Sequence, residues 1–303
     1  MSRPDTALGA AAALCPYAEL EVLATGPQAL VQDLGRPGLA AVGVGRSGAA
    51  DRRSFMLGAR LLGQHTGLAA LEVTYGGLSL RARGSVTVVL TGAVAPASID
   101  GTPAPHAAPF LLRDQQVLRL AAPGSGLRTY LSVRGGVDVP PVLGSRATDT
   151  LSGIGPNPLR AGDVLPVGQP TGEPSVDVAP VAPPTSGVLE LRAALGPRAD
   201  WFTDPQALAH QTWTVSSRSD RVGLRLEGAV LERHPDRVGD ELPSEGVVHG
   251  SVQVPAGGQP VLFLADHPVT GGYPVAAVVL DADVDLAAQA VPGQQLRLRL
   301  DRA

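Results

Sequence analysis

The chain contains no lysine, and all 24 of its basic residues are arginine. Lysine is the residue that contacts phosphates in a Walker loop, forms Schiff bases with carbonyl substrates and carries covalently attached biotin. None of these roles can therefore belong to this chain. An anion or a carboxylate must be held by arginine, by backbone N–H groups or by hydroxyl groups. Any biotin must be attached to another protein.

Cysteine and charged residues are also scarce. The single cysteine, Cys15, excludes an internal disulfide bond and a thiolate metal cluster. The six histidines show no H-x-x-x-H or H-E-x-x-H spacing, so we expect no metal site. A net charge of −4 gives no basic surface for nucleic acid. No apolar run approaches the roughly 18 residues of a membrane-spanning helix, so we expect a cytoplasmic protein without nucleic-acid or membrane partners.

Glycine and proline are abundant instead, with 37 and 28 residues. Without a short repeat, that composition indicates many turns and favours β structure. Aromatic residues are 3% of the chain, so its core must consist mainly of valine, leucine and alanine. Short β-branched or alternating runs such as VTVVL and QLRLRL end repeatedly at Gly, Pro or Asp. The sequence therefore predicts a mainly-β fold of closed or nearly closed barrels.

Two segments carry helix signals. One helix is predicted to begin after Asp51, which is an N-cap residue type, and to end at Gly63. The other is predicted to begin near Asp204, with Pro205 at its first helical position. We expect only a few short helices.

The chain divides at a proline-rich segment. We predict a flexible leader (1–19), a first β domain (20–168), a linker (169–187) and a second β domain (188–303). Three sequence blocks recur in the same order in both halves; for example, LEVLATGP begins at Leu20 and LELRAALGP begins at Leu189. We interpret the blocks as a duplicated domain, and chance similarity between Val/Gly-rich strands is the alternative.

The densest group of polar residues lies in 244–274. VLFLAD is predicted to be a buried strand that ends at Asp266, and HPVTGGYP then turns sharply. His267 is a candidate acid or base, Asp266 a candidate partner for substrate, and Tyr273 a candidate hydrogen-bond donor to an oxyanion. The alternative is that Asp266 caps the turn and His267 meets a backbone carbonyl.

Two further clusters precede this one. In VQDLGRPG and GVGRSGAADR, Arg36 or Arg46 is a candidate carboxylate ligand, although a glycine turn with an exposed Asp–Arg pair is equally consistent with the pattern. GVGRSG lacks the features of a phosphate loop. In SSRSDRVGLRLEG, Arg218 and Arg221 favour an anion-binding turn, and a turn capped by Asp220 is the alternative.

These motifs together resemble the KipA/PxpC family of 5-oxoprolinase C subunits, also described as biotin-dependent carboxyltransferases or allophanate hydrolase subunit 2 proteins. The resemblance runs from about Leu20 to Leu300. It rests on VQDLGRPG, VGRSGAADR, LEVTYGG, YLSVRGGVDVPPVLGSRATD, SSRSDRVGLRLEG, SEGVVHGSVQVPAGGQPVLFLADHPVTGGYP and PGQQLRLRL.

The resemblance implies two cyclophilin-like β-barrel domains. It also implies action with a KipI/PxpB-like subunit and a PxpA-like subunit in the ATP-dependent opening of 5-oxo-L-proline to L-glutamate. ATP would bind at or through a partner. One alternative is a carboxyltransferase that uses carboxybiotin from a separate carrier and a urea- or amide-like acceptor. A second is a non-catalytic, KipA-like regulator of a KipI-like protein.

The resemblance also nominates the site residues. Matching positions in its three motifs are candidates for binding a small amide or lactam, with catalysis assigned to four of them. The predicted catalytic residues are Asp266, His267, Tyr273 and Glu245. The predicted substrate-binding residues are Gln32, Asp33, Arg36, Ser47, Asp51, Arg218, Asp220, Arg221, Gln253, Thr270 and Gly272.

Overall fold

The computed structural model describes residues 18–171 and 178–300. Most of the predicted leader and part of the predicted linker therefore lie outside the described residues. Within these ranges the chain is built mainly of β-strands, which confirms the predicted class. No helix in the described part of the chain is long and apolar enough to cross a membrane.

The first half forms two antiparallel sheets that face each other. One has the strand order β11-β1-β4-β9-β6-β7 and the other β2-β3-β10-β5-β8. The strands are β1 (Ala18–Thr25), β2 (Gln28–Gln32), β3 (Ala70–Thr74), β4 (Leu78–Arg83), β5 (Val86–Gly92), β6 (Ala97–Ile99), β7 (Thr102–Ala104), β8 (Phe110–Leu112), β9 (Val117–Leu120), β10 (Arg128–Val133) and β11 (Val164–Val167).

The second half contains a closed barrel with the order β12-β19-β16-β17-β14-β13-β20. The β12–β20 pair is parallel, whereas the other barrel pairs are antiparallel. A separate two-stranded sheet pairs β15 with β18. The strands are β12 (Leu189–Leu195), β13 (Trp213–Val215), β14 (Gly223–Glu227), β15 (Glu245–Gly246), β16 (Ser251–Gln253), β17 (Val261–Phe263), β18 (Thr270–Gly271), β19 (Val275–Val279) and β20 (Gln295–Leu300).

Alternating side chains build the two main cores. Along β1, every second residue from Ala18 to Val22 is buried, because successive side chains of a strand point to opposite faces. Valine, leucine and alanine dominate the buried residues of both halves, as the low aromatic content predicts. The likeness to cyclophilin and the duplicated-domain interpretation stay predictions.

Three α-helices lie among the described residues: α1 (Arg52–Leu61), α2 (Ala207–His210) and α3 (Asp281–Ala287). Asp51 caps α1 by accepting a hydrogen bond from the Ser54 N–H at 2.9 Å, and Gly63 follows the helix with φ of +61°. Both ends are as predicted. The second helix begins later than predicted, because Asp204 instead accepts from the Gln206 N–H in a turn.

The predicted linker borders both halves. Strand β11 ends at Val167 and β12 begins at Leu189, and residues 178–187 form neither helix nor strand. The Ala179 N–H donates to the Ala107 carbonyl in the first half, while Gln294 in the second half donates to the Thr185 carbonyl. We call residues 180–185 the proline strap. The predicted domain boundaries stay predictions.

The loop 145–155 reaches the junction between the halves through a tight turn. Gly155 has φ of +100°, and a Cβ there would lie 2.1 Å from the Ala147 carbonyl oxygen. Gly153 has φ of +70° in the same loop, but a Cβ there would meet no atom within 4 Å. Both glycines adopt a conformation that L residues avoid, and only Gly155 is also closely packed.

We expect Gly155→Ala to lower the free energy of unfolding by about 1–3 kcal/mol more than Gly153→Ala, because only the first substitution adds a steric clash to the φ strain. Urea unfolding of the two variants measures the difference. Equal losses would contradict the close packing of Gly155.

Candidate functional site

Arg221 is the centre of a buried charge cluster between the two halves. Its side chain is 2% exposed. Nε donates to Asp266 Oδ2 at 2.9 Å, and Nη2 donates to Asp266 Oδ1 at 3.1 Å and to the Gly48 carbonyl at 2.6 Å. Nη1 donates to Glu72 on β3. One guanidinium thus links a carboxylate of each half.

Asp266 uses both of its oxygens within this cluster. Ser47 Oγ donates to Oδ1 at 2.6 Å, and the N–H and hydroxyl of Thr150 donate to Oδ2 at 2.9 and 2.7 Å. Together with Arg221, these donors fill the coordination of the carboxylate. The structure therefore brings the predicted residues Ser47, Arg221 and Asp266 together, but in an arrangement that positions loops rather than one that leaves Asp266 open to substrate.

Electrostatics keep the cluster ionised despite its burial. Burial alone would raise the pKa values of Asp266 and Glu72, but the positive charge of Arg221, together with the hydrogen bonds that the carboxylates accept, outweighs it and lowers both. Burial likewise opposes the charged form of Arg221, but the two carboxylates raise its pKa overall. A buried ion pair survives only when such compensation is complete.

Glu72 connects the cluster to the start of α1. It accepts from the Ala50 N–H at 2.9 Å and from the Tyr130 hydroxyl at 2.7 Å, and Arg128 Nε lies 3.4 Å from it. The Tyr130 hydroxyl in turn accepts from the Asp51 N–H at 2.8 Å. Burial, followed by the charge of Glu72, raises the pKa of Tyr130, so this phenol stays protonated.

Asp51 ends this chain of contacts beside a large cavity. Besides capping α1, its Oδ2 accepts from Ser54 Oγ at 2.6 Å and from Gln289 Nε2 at 2.8 Å. The cavity has a volume of about 640 Å³ and lies between α1, the proline strap, β12 and the end of α3. Asp285 on α3 lines it too, and its Oδ1 accepts from the Arg52 N–H at 3.0 Å.

Both cavity carboxyls have raised pKa values. Burial is the main cause of the raised pKa of Asp51. Burial and then the charge of Asp51 raise the pKa of Asp285 to about 6. Largely buried pockets that contain perturbed titratable groups are where binding and catalysis concentrate.

Gln32, Asp33 and Arg36 hold the loop 145–148. Gln32 Nε2 donates to the Thr148 carbonyl at 2.8 Å, and Asp33 accepts from Ser145 Oγ and the Arg146 N–H, both at 2.6 Å. Arg36 donates to the Ala147 carbonyl. All three are buried, and Asp33 does not pair with Arg36. The alternative interpretation of this segment, a glycine turn with an exposed Asp–Arg pair, is therefore wrong. Gln32 Oε1 and Arg36 Nη1 have no hydrogen-bond partner among the described residues.

His267 faces away from its neighbour Asp266. Its Nδ1 lies 2.7 Å from the Pro268 carbonyl, which is the alternative set out above and places the ring proton on Nδ1. The ring stacks on Phe263 at 6.0 Å and lies 6.3 Å from His249. Burial lowers the pKa of His267, so Nε2 is a free base at neutral pH.

A separate group surrounds the β15–β18 sheet. Glu245 makes a bidentate ion pair with Arg198, and Gln253 Nε2 donates to the Tyr273 carbonyl at 2.8 Å. Thr270 is exposed, Gly272 is half-buried and Tyr273 is 48% exposed. Among the described residues, no hydrogen bond joins this group to Asp266 or Arg221.

Asp220 lies at the edge of a second groove. Asp220 Oδ1 accepts from the N–H groups of Val222 and Gly223 at 2.8 and 3.1 Å, as the capped-turn alternative predicts. Arg218 is 75% exposed and 3.9 Å from Glu227. The groove, of about 600 Å³, contains Tyr75, Thr150, Ser219 and the inner end of Arg221.

Sequence reasoning missed Glu72, Tyr130, Thr150, Asp285 and Gln289 as members of the site. For Glu72 a signal existed, because a carboxylate in the middle of the buried strand ALEVT needs a buried cation. The other four depend on contacts between distant segments. Within the described residues, no group of three or more His, Cys, Asp or Glu side chains is arranged to hold a metal ion.

Comparison with known proteins fits this arrangement. Residues 42–300 match the family described as carboxyltransferase domain, subdomain A and B. The chain belongs to this family. It is 36% identical to the 5-oxoprolinase C subunit of Escherichia coli over 91% of this chain and 89% of that protein. The corresponding protein of Haemophilus influenzae is 33% identical, over 92% and 90%. The resemblance inferred from the motifs is confirmed.

Larger proteins contain the same module. Urea amidolyase of Saccharomyces cerevisiae is 30% identical over 92% of this chain but only 16% of its own length. The crystal structure of TTHA0988 superposes with a TM-score of 0.85 at 34% identity, and covers 94% of this chain and 56% of that one. The Kluyveromyces lactis urea amidolyase superposes with a TM-score of 0.87 at 28% identity, over 94% and 19%. The chain thus spans little more than half of TTHA0988.

The charge cluster predicts a large stability effect. We expect Arg221→Gln to lower the free energy of unfolding by about 3–5 kcal/mol, because it leaves Glu72 and Asp266 buried without their cation. Arg218→Gln is the matched control, with an expected change within about 0.5 kcal/mol because Arg218 is exposed. Chemical denaturation compares the two, and equal midpoints would contradict the central role of Arg221.

The raised pKa of Asp285 predicts a pH dependence. Its folded-state pKa of about 6 lies above the ordinary value of 3.8, so the stability it contributes is present below pH 4 and lost as the pH rises through 6. Relative to Asp285→Asn, the wild type is expected to lose roughly 1–3 kcal/mol between pH 4 and pH 7.

Asp281→Asn provides the opposite control. Burial acts to raise the pKa of Asp281, but the hydrogen bonds and charges of Arg52 and His249 together outweigh it and lower the pKa overall. The wild type should therefore gain stability relative to this variant as pH rises. Urea unfolding at several pH values measures both series. A constant difference for Asp285→Asn would mean that folding does not raise the pKa of Asp285.

Proposed function

We propose that this protein is the C subunit of an ATP-dependent 5-oxoprolinase, which opens 5-oxo-L-proline to L-glutamate. One observation carries the proposal. The chain and the E. coli 5-oxoprolinase C subunit match over nine-tenths of the chain and 89% of that protein, whereas the urea amidolyase match covers 16% of a much larger protein. A match of this extent favours the role of the C subunit, and the partners we propose are a KipI/PxpB-like and a PxpA-like protein.

The start of α1 does not fit a bound nucleotide. A helix N-terminus binds phosphate through free N–H groups. Here the N–H groups of Ala50, Asp51 and Arg52 already donate to Glu72, Tyr130 and Asp285. Ser47 in GVGRSG is held by Asp266, so this glycine-rich segment is committed to the fold. We therefore assign ATP to a partner subunit or to the interface with it.

Opening an unstrained lactam requires groups that move protons and fix the ring. His267 can accept a proton at Nε2, since its Nδ1 is oriented by the Pro268 carbonyl. Asp266 acts by positioning, because it fastens the loops of Ser47 and Thr150 to Arg221. Arg36 is buried and donates to the Ala147 carbonyl, so it also acts by positioning, here of the loop 145–148.

The second candidate is a carboxyltransferase that transfers a carboxyl group from carboxybiotin to a urea- or amide-like acceptor. The name of the matched family and the superposition on the K. lactis urea amidolyase favour it. Both reactions act on a planar amide, so they require similar pockets. With no lysine in this chain, the biotin would arrive on a separate carrier.

A reconstituted complex tests the proposal. The protein co-expressed with its two partner subunits is expected to release glutamate from 5-oxo-L-proline only when ATP is present. In the same assay His267→Gln is expected to lower kcat about 100-fold through loss of the base. His210→Gln is the control, since its side chain is 69% exposed. Carboxylation of urea by carboxybiotin without glutamate release would favour the second candidate instead.

A further inference from the structure

The cavity beneath the proline strap has the features of a ligand site. Its volume of about 640 Å³ falls within the range of small-molecule pockets. Both halves contribute to it, since Asp51 and Leu57 come from the start and middle of the α1 segment, whereas Val188 and Leu286 come from beside β12 and from α3. Such a position, between two rigid units and under a covering segment, is typical of binding sites.

The inner end of the cavity is acidic and has one unused oxygen. Asp285 is 8% exposed, and only its Oδ1 takes part in contacts, with the Arg52 N–H and with Arg52 Nε. Its Oδ2 has no hydrogen-bond or ion-pair partner among the described residues. The Asp285 side chain is 11% exposed and lines the cavity, so a ligand there can reach its unpartnered oxygen. Asp51 stands beside it, already holding Ser54 and Gln289.

The outer face of the cavity is basic. Arg53 and Arg60 lie seven positions apart on α1, with Leu57 between them, so they share one face of the helix. Both side chains are exposed, and neither makes a hydrogen bond or an ion pair within the described residues. An unpaired guanidinium at the mouth of a pocket binds carboxylates in a bidentate way. Arg53 is one turn from the acidic end, whereas Arg60 is about 10 Å further along.

The walls between the two ends are apolar and rigid. Proline residues of the strap, with Val181, face Leu57 and Leu286 across the cavity. Such walls suit a compact ring and exclude water from a carboxyl group. The ligand that matches this layout carries an amide edge for the acidic end, an apolar ring and a carboxylate for the basic end.

We propose that the cavity binds the substrate, a small cyclic amide with a carboxylate on its ring, so that Asp285 Oδ2 meets the amide edge and Arg53 the carboxylate. This assignment rests on the proposed function and gives the lactam a site apart from the buried Asp266 cluster. As a carboxylate, Oδ2 accepts from the lactam N–H; as an acid, it donates to the lactam oxygen and polarises the carbonyl.

Binding measured on the full chain by ligand-observed NMR and calorimetry tests the site. The probes are 5-oxo-L-proline and 2-pyrrolidinone, which has the same ring without the carboxylate. We expect Arg53→Gln to weaken 5-oxoproline at least tenfold and to leave 2-pyrrolidinone unchanged. Asp285→Ala should weaken both probes. Arg119→Gln, on the exposed face of β9, is the matched control and should change neither.

A second substitution, which fills the cavity, tests the site with a variant that should still fold. Val188 lines the cavity and is 41% exposed, so Val188→Trp should fold and abolish the binding of both probes. If Arg53→Gln and Val188→Trp bind 5-oxoproline as tightly as the wild type does, the cavity is not the binding site. That result would leave the proposed function intact. In the reconstituted complex, a raised KM in Arg53→Gln with little change in kcat supports the site, and an unchanged KM overturns it. Failure of the wild-type complex to release glutamate would count against the proposed function, whereas lactam binding to the cavity would still be read directly.

Discussion

The contact between Arg221 and two carboxylates is the constraint on which the rest of this structure depends. Asp266 ends a buried segment of the barrel, and Glu72 lies inside the sheet of the first half, so neither can be hydrated. Each is tolerable only because one guanidinium reaches both. The geometry also requires arginine, since a lysine ammonium has no planar fork with which to meet Asp266 at two oxygens and Glu72 at the same time.

This contact fixes the junction between the two halves through two sets of hydrogen bonds. Through Ser47 and Thr150, Asp266 fixes two loops of the first half against the barrel. Through Tyr130 and Ala50, Glu72 fixes the start of α1. Since α1 forms one wall of the large cavity, the shape of that cavity depends on a charge cluster that does not touch it. Loss of the cluster would therefore change the shape of the cavity by displacing backbone, and would not remove a contact to a ligand.

The parts of this arrangement that were predictable from sequence are those that depend on residues a few positions apart. The cap of α1 by Asp51 and the glycine after its end follow from residues a few positions apart, and the structure confirms both. The motifs also located Arg221 and Asp266 correctly as members of one group. Their partner Glu72 is 149 positions from Arg221, and no local pattern specifies a pairing over that distance. Conversely, Glu245 is close to Asp266 in sequence but pairs with Arg198 on another surface, because strand alternation separates neighbours.

The start of α1 crowds the carboxyl groups that line the cavity. A helix N-terminus favours negative charge, and here Glu72, Asp51 and Asp285 all accept N–H groups of the same turn. Glu72 has Arg221 and Arg128 as counter-charges and stays ionised. Burial is the main cause of the raised pKa of Asp51, with the charge of Glu72 adding to it, whereas burial and then the charge of Asp51 raise the pKa of Asp285 to about 6. Crowding three acids around too few cations thus raises the pKa of Asp285 to about 6, where a polar ligand in the cavity can shift its protonation.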